Sequence, residues 1–268
     1  MRLRSIVEVP AGGDDGPALA SQADAVSFSL NDAGQPAPLL RAAAAAGLSR
    51  ARDAGKRAIV AINHPRTRML REDIEAIATP DLAGVLLPHA CEPQDVRDLA
   101  VLLREFELAR GLEPGAIAVL PVIETARGLL RASEIAAAAP RTVGLVFNSE
   151  TYALDVGARA EEAGPRLAYA RGAVVAAARA CDTLPIVVTG GPEVLFLAQH
   201  GFAGALLPGP DFVLQANVAF SPAPGARARA ERQLAAYDAA RAEGAWVART
   251  GREIVDSHAA RKARALLD

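Results

Sequence analysis

The sequence is poor in aromatic residues, which make up 4% of its 268 positions, has only two cysteines, and carries no excess charge of one sign. Each shortage excludes something. The 29 basic and 31 acidic side chains leave a formal charge of −2 and are interspersed along the chain. They create no clustered positive field of the kind that displaces counterions from phosphates, so no nucleic-acid partner is expected. Cys91 and Cys181 lie far apart without paired-ligand spacing, which argues for free thiols rather than a disulfide framework or zinc ribbon. No run of eighteen apolar residues is free of charge, and Met1 to Arg4 followed by Ser5 to Val9 lacks the apolar middle of a signal peptide. No membrane partner is expected, and the chain reads as a soluble cytoplasmic protein. A Gly-x-Ser-x-Gly elbow is missing and Cys91 has no identifiable base, so nucleophilic hydrolysis has no support.

What the sequence does have is aliphatic bulk. Hydrophobic residues are 51% of the chain, and Ala-rich stretches such as Arg41 to Ala46 and Ala173 to Ala180 suit helices that pack closely on a sheet. Short Val- and Ile-rich runs occur at Ser5 to Val9, Ala25 to Leu30, Ala58 to Ile62, Gly84 to Leu87, Ile117 to Ile123, Val143 to Phe147, Ile186 to Thr189 and Ala203 to Leu207. Between them lie helical stretches at Pro38 to Ala54, Glu72 to Ala78, Pro93 to Arg110, Ala126 to Ala138, Arg166 to Ala180, Glu193 to His200 and Asp211 to Phe220. Eight strands alternating with helices predict an α/β fold, a (β/α)8 TIM barrel over residues 1–222. A doubly wound sheet is the competitor, but the turn Pro10 to Gly16 lacks the Gly-x-Gly-x-x-Gly spacing that such a fold places after its first strand. Residues 223–268 change to a charged, Ala-rich stretch over 226–244 and a final helix at Asp256 to Leu267. This C-terminal helical extension is free to cap its own barrel or to dock on a neighbouring subunit.

A (β/α)8 barrel gathers its reactive groups at the C-terminal ends of the strands. There the sequence places Asn31-Asp32, Asn63-His64-Pro65-Arg66, Pro88-His89, Glu124-Thr125 and Asn148-Ser149-Glu150. A charge at the end of an apolar strand such as Val119 to Ile123 is costly to bury without a cation or donors. Neighbouring strands run about 4.8 Å apart, so Glu124 and Glu150 are within reach of one hard cation, typically Mg²⁺. The alternative for Glu124 is a helix cap or an ion pair with Arg127 or Arg131. His64 and His89 have the pKa range of general bases, but neither has a second histidine at helical spacing, which favours hydrogen-bonded rim residues over metal ligands.

The segment Pro121-Val122-Ile123-Glu124-Thr125-Ala126-Arg127-Gly128-Leu129-Leu130 closely resembles the matching strand and helix of the citrate lyase β-subunit-like branch of the HpcH/HpaI aldolase family. Ala153 to Gly157, Tyr169 to Arg171, Gly201 to Gly204, Asn217 to Pro222 and Gly251 to Asp256 resemble further family landmarks, in the family's order. The resemblance implies a Mg²⁺-dependent carbon–carbon lyase acting on a hydroxy acid or hydroxyacyl-CoA thioester through a 2-oxo acid. It assigns the metal to Glu124, with Glu150 as the longer-reaching substitute for the missing Asp, and catalytic roles to Asp32 and to Asp256, which in related enzymes reaches a neighbour's site. Asn63, Arg66, His89 and Thr125 would line the substrate. It also implies a homo-oligomer, a trimer or hexamer. The departures cluster on the catalytic rim: Thr151 follows Glu150 where the family has a metal-binding Asp, Ala61 replaces an Arg, Ser29 and Asn31 replace an acidic pair, His89 replaces a Lys, and Pro208-Gly209-Pro210 replaces Ile-His-Pro. Loss of a stabilising donor such as that Arg costs roughly 3 to 4 kcal/mol of transition-state stabilisation. Arg66 or Arg68 on the following loop would be its replacement. The competing expectation is a catalytically degenerate paralogue that binds a metabolite or partners an active homologue.

Overall fold

Strands β1 (Ser5–Pro10), β2 (Ala25–Ser29), β3 (Arg57–Ala61), β4 (Leu82–Leu87), β5 (Ala118–Ile123), β6 (Gly144–Asn148), β7 (Leu184–Val188) and β8 (Gly204–Leu207) pair in sequence order in the computed structural model. All are parallel, and β8 returns to β1 to close the barrel. The structure describes residues 2–31, 35–158 and 167–267. Every expected strand is present, displaced by no more than a few residues at its ends. Their near-continuous apolar sequences follow from burial on both faces, the outer one by helices and the inner one by the opposite wall.

Register assigns the two faces. Ile6 pairs with Ala25, Ala61 with Leu86, and Val122 with Val146. All six belong to the interior cluster, which also holds Leu3, Ile59, Leu120, Ile186 and Leu206 and contains no aromatic ring. Phe28 and Phe147 are instead buried in the outer layer, between strands and helices. Aliphatic residues fill the interior of an eight-stranded barrel, which is only wide enough for side chains. The poverty in aromatics is thus compatible with a full core.

Short helices connect the strands: α1 (Gly16–Ala20), α2 (Ala37–Asp53), α3 (Leu70–Ile77), α4 (Pro93–Ala109), α5 (Ala126–Leu130), α6 (Ala132–Ala136), α7 (Ser149–Asp155), α8 (Ala168–Ala180), α9 (Val194–Gln199) and α10 (Val213–Ala219). The stretch expected as one helix over 126–138 is two, because Arg131 caps the end of α5 and the start of α6 outside helical geometry. Helices α1 and α7 were not expected; α7 starts because the Asn148 side chain accepts a bond from the Thr151 N–H and caps it. In α2, a Cβ on Gly47 would stand 2.7 Å from the Phe28 ring, so only glycine lets this helix seat on β2.

The compact unit Met1–Phe220 contains the barrel, and a second unit spans Ser221–Asp268. The second has helix α11 (Ala226–Ala242), an antiparallel pair β9 (Ala248–Thr250) and β10 (Glu253–Val255), and helix α12 (Ser257–Leu267). Ala248, Val255 and Ala260 form its small core, and Arg229 pairs with Glu253 across it. Among the described residues, no helix is long and apolar enough to cross a membrane.

Candidate active site at the barrel mouth

Glu124 follows the last residue of β5 and is 7% exposed. Its Oε2 accepts the His89 backbone N–H at 2.8 Å, and His89 Nδ1 lies 3.1 Å from the same oxygen. Its Oε1 accepts the Asn148 side-chain amide at 2.9 Å. The carboxylate is therefore oriented from both neighbouring strands by donors that carry no fixed charge. Neither Arg127 nor Arg131 pairs with it; Arg127 binds Glu92. A carboxylate offers about four acceptor positions, so three bonds leave one, on Oε1. His89 supplies two of these donors by adopting a positive φ of 50°, a conformation few non-glycine residues adopt. Strain of this kind collects at sites where the surroundings over-determine a geometry.

The helix after Glu124 keeps this arrangement close. The Thr125 side chain caps α5 by accepting the Gly128 N–H, and its hydroxyl meets Cys91 Sγ at 3.3 Å. A Cβ on Gly128 would come within 2.5 Å of the Ala90 carbonyl, so glycine is required for α5 to approach the loop that carries His89.

Other expected residues have different partners. Asn63 donates through its backbone and side-chain amides to Asp73, which is fully buried and also paired with Arg41. Arg66 lies 3.2 Å from Asp95 and 3.4 Å from Glu92, on the exposed rim. His64 accepts the Arg66 N–H at Nδ1; burial first, and the nearby Arg66 charge, hold its pKa below the ordinary value despite the opposing pull of Asp95. Glu150 is exposed in the first turn of α7, and no bond or ion pair joins it to Glu124. Asp256 is exposed in the second unit, where its carboxylate accepts the Ala259 N–H at the start of α12. Asp32 lies outside the described residues.

Two roles at the mouth were missed from the sequence. One is that of Asn148, placed at its strand end without a function, whose amide orients Glu124. The other is that of Glu8, half-buried on β1, whose carboxyl is pushed above its ordinary pKa by burial and then by the Glu124 charge. Strand periodicity carried that signal: Glu8 is two residues past inward-facing Ile6 and so shares its face. Among the described residues no three His, Cys, Asp or Glu side chains converge into a closed metal cage. An open Mg²⁺ site needs only one or two carboxylates with water and substrate, and a buried carboxylate with a vacant acceptor position and, among the described residues, no lysine or arginine partner fits one.

The HpcH/HpaI aldolase/citrate lyase family model matches residues 17–203. The chain is 32% identical to a citrate lyase subunit beta-like protein of Deinococcus radiodurans, covering 99% of this chain and 96% of the relative. It is 29% identical to a (3S)-malyl-CoA thioesterase of Cereibacter sphaeroides, over 95% and 90% of the two chains. A crystal structure of the CitE protein of Mycobacterium tuberculosis in complex with magnesium, acetoacetate and coenzyme A aligns with a TM-score of 0.63 at 26% identity, covering 98% and 96%. The fold and these matches thus define a (β/α)8 barrel of the aldolase/citrate lyase class. The chain belongs to the HpcH/HpaI aldolase/citrate lyase family.

Proposed function

We propose that the protein is a carbon–carbon lyase that cleaves or forms a hydroxy acid or hydroxyacyl-CoA thioester through a 2-oxo acid, with Mg²⁺ held at Glu124. The observation that carries this reading is the buried Glu124 carboxylate at the mouth, fixed by three donors from His89 and Asn148 yet keeping one acceptor position. The complex of the M. tuberculosis protein with magnesium, acetoacetate and coenzyme A supports the ligand class. When bound, the ion supplies Lewis-acid stabilisation of negative charge on substrate oxygens.

The chain's own groups do the rest. Asn148 and His89 fix the direction of Glu124, so little reorganisation is needed when a charged ligand arrives. With its proton on Nδ1 facing Glu124, His89 leaves Nε2 as a proton acceptor at the solvent-facing mouth. Asn63 commits its backbone N–H and one side-chain N–H to Asp73, and keeps its second side-chain N–H and its carbonyl oxygen for a substrate. In the same reading Asp32 handles a proton, a second carboxylate, for which the sequence offered Glu150, completes the metal site, Arg66 and Thr125 flank the substrate, and Asp256 serves the mouth of a neighbouring subunit in a trimer or hexamer.

Purified protein supplied with Mg²⁺ and malyl-CoA or a related hydroxyacyl-CoA is expected to release a 2-oxo acid, and Glu124→Gln is expected to lower kcat/KM by about 100-fold or more. A second reading has its own observation: Ala61 stands in the barrel interior and Arg66 is engaged by Asp95 and Glu92, so neither supplies Glu124 with a guanidinium partner. If no hydroxyacyl-CoA turns over while metal still binds, the degenerate, metabolite-binding reading replaces the lyase.

A further inference from the structure

β1 and β5 are diametrically opposed in the closed order of eight strands. Side chains from opposite walls of such a barrel meet near its axis. Ile6 of β1 lies in the interior cluster, so Glu8, two residues on, enters the barrel from the wall facing Glu124. The register pairs Glu8 with Ser27 of β2, one step beyond the inward pair Ile6 and Ala25.

Ser27 is 0% exposed, and its hydroxyl has no hydrogen-bond partner. A buried polar group left in that state is costly and calls for a ligand or ordered water. Beside it, the Glu8 carboxylate has no hydrogen bond or ion pair among the described residues, and no lysine or arginine pairs with Glu124. The mouth therefore holds two carboxylates, an orphaned hydroxyl and a vacant acceptor position. Oxygen ligands of this kind, carrying two negative charges without a fixed positive one, suit a hard divalent cation that keeps part of its water shell.

We infer that Glu8 supplies the second carboxylate of the cation site at the barrel mouth, opposite Glu124, in place of Glu150. This rests on the metal reading of Glu124 proposed above. The β6 strand already contributes Asn148 to Glu124, whereas Glu150 stands in the next helical turn, exposed and without contact to it.

The test uses Mn²⁺ alone as probe, with bound ion measured from the loss of the free-ion electron paramagnetic resonance signal. The wild type is expected to bind one Mn²⁺ per chain. Glu8→Gln and Glu124→Gln should each weaken binding at least tenfold, and Glu150→Gln should leave it within twofold. Glu8→Asp, which keeps the charge but shortens the reach, should also weaken binding, and thermal unfolding of each metal-free variant checks that it folds. If Glu124→Gln weakens Mn²⁺ while Glu8→Gln or Glu8→Asp binds as the wild type does, the assignment of Glu8 falls and the Glu124 reading stands. If the wild type binds no Mn²⁺, or Glu124→Gln binds it unchanged, the metal centre itself falls and takes Glu8 with it.

Discussion

At the N-terminal end of β5, the fully buried carboxylate of Glu107 receives four hydrogen bonds, from the Gly115 and Ile117 N–H groups and from both terminal nitrogens of Arg141. At the other end of the same barrel, Glu8 receives none. Burial pushes both carboxyls upward. At Glu107 the Arg141 pair and the two backbone donors outweigh it and hold the pKa below the ordinary carboxylate range. At Glu8 nothing opposes burial, and the Glu124 charge adds to it. A carboxylate matched by its own chain serves the fold, and the proposed role of Glu8 is the converse, an unmatched carboxylate at the face where barrel active sites stand that is completed by a cation.

The contrast breaks most visibly at Glu107. Glu107→Gln leaves the Arg141 guanidinium buried and uncompensated, with an expected loss of about 3 to 5 kcal/mol in urea unfolding at neutral pH. Because the folded-state pKa is lowered, this stabilisation is complete above the ordinary carboxylate range and is lost as the pH falls through the folded value. The wild type should accordingly lose more stability on acidification than the variant. A loss within the error of the denaturation midpoint would mean that the four bonds are not a stabilising arrangement at all.

Glu8 has the opposite sign. With its folded-state pKa raised, the stability it allows is complete below the ordinary range and is lost as the pH rises through the folded value. Glu8→Gln in protein stripped with a chelator should therefore gain about 1 kcal/mol at pH 8. That gain should fade toward pH 4, as followed by urea unfolding at both pH values. A variant destabilised at pH 8 would place Glu8 with Glu107 as a residue serving the fold, and the comparison would collapse.

How much of this was legible in the sequence depended on whether the signal was local. The eight strands were, since a parallel strand buried on both faces is a continuous apolar run wherever it occurs. Glu124 was legible for the same reason, as a charge closing such a run. Glu8 was legible in principle, but it sits inside a run, and attention to strand ends passes over it. The partners were not legible: Asp73 for Asn63, Asn148 for Glu124 and Arg141 for Glu107 are set by packing between residues 10 to 34 positions apart. Nor does any residue type announce the backbone of His89, because a positive φ is the signature of glycine and here a histidine adopts it.

That backbone gives the smallest effect and separates the strained donor from its side chain. The His89 N–H binds Glu124 whatever residue stands there, whereas the Nδ1 contact needs the ring. Glycine accepts a φ of 50° without steric cost and alanine does not, a difference of about 1 to 2 kcal/mol that exceeds the roughly 0.4 to 1 kcal/mol of extra chain entropy glycine brings to the unfolded state. His89→Gly should therefore be more stable than His89→Ala by up to about 1 kcal/mol in thermal or urea unfolding. Both variants, lacking the ring, should lose turnover alike if His89 Nε2 exchanges a proton with substrate. Equal stability of the two would show that the loop relaxes and that the positive φ stores no strain. Full turnover in His89→Gly would move the proton-transferring role off His89, which is the outcome that most changes how the mouth of the barrel differs from the Glu107 end.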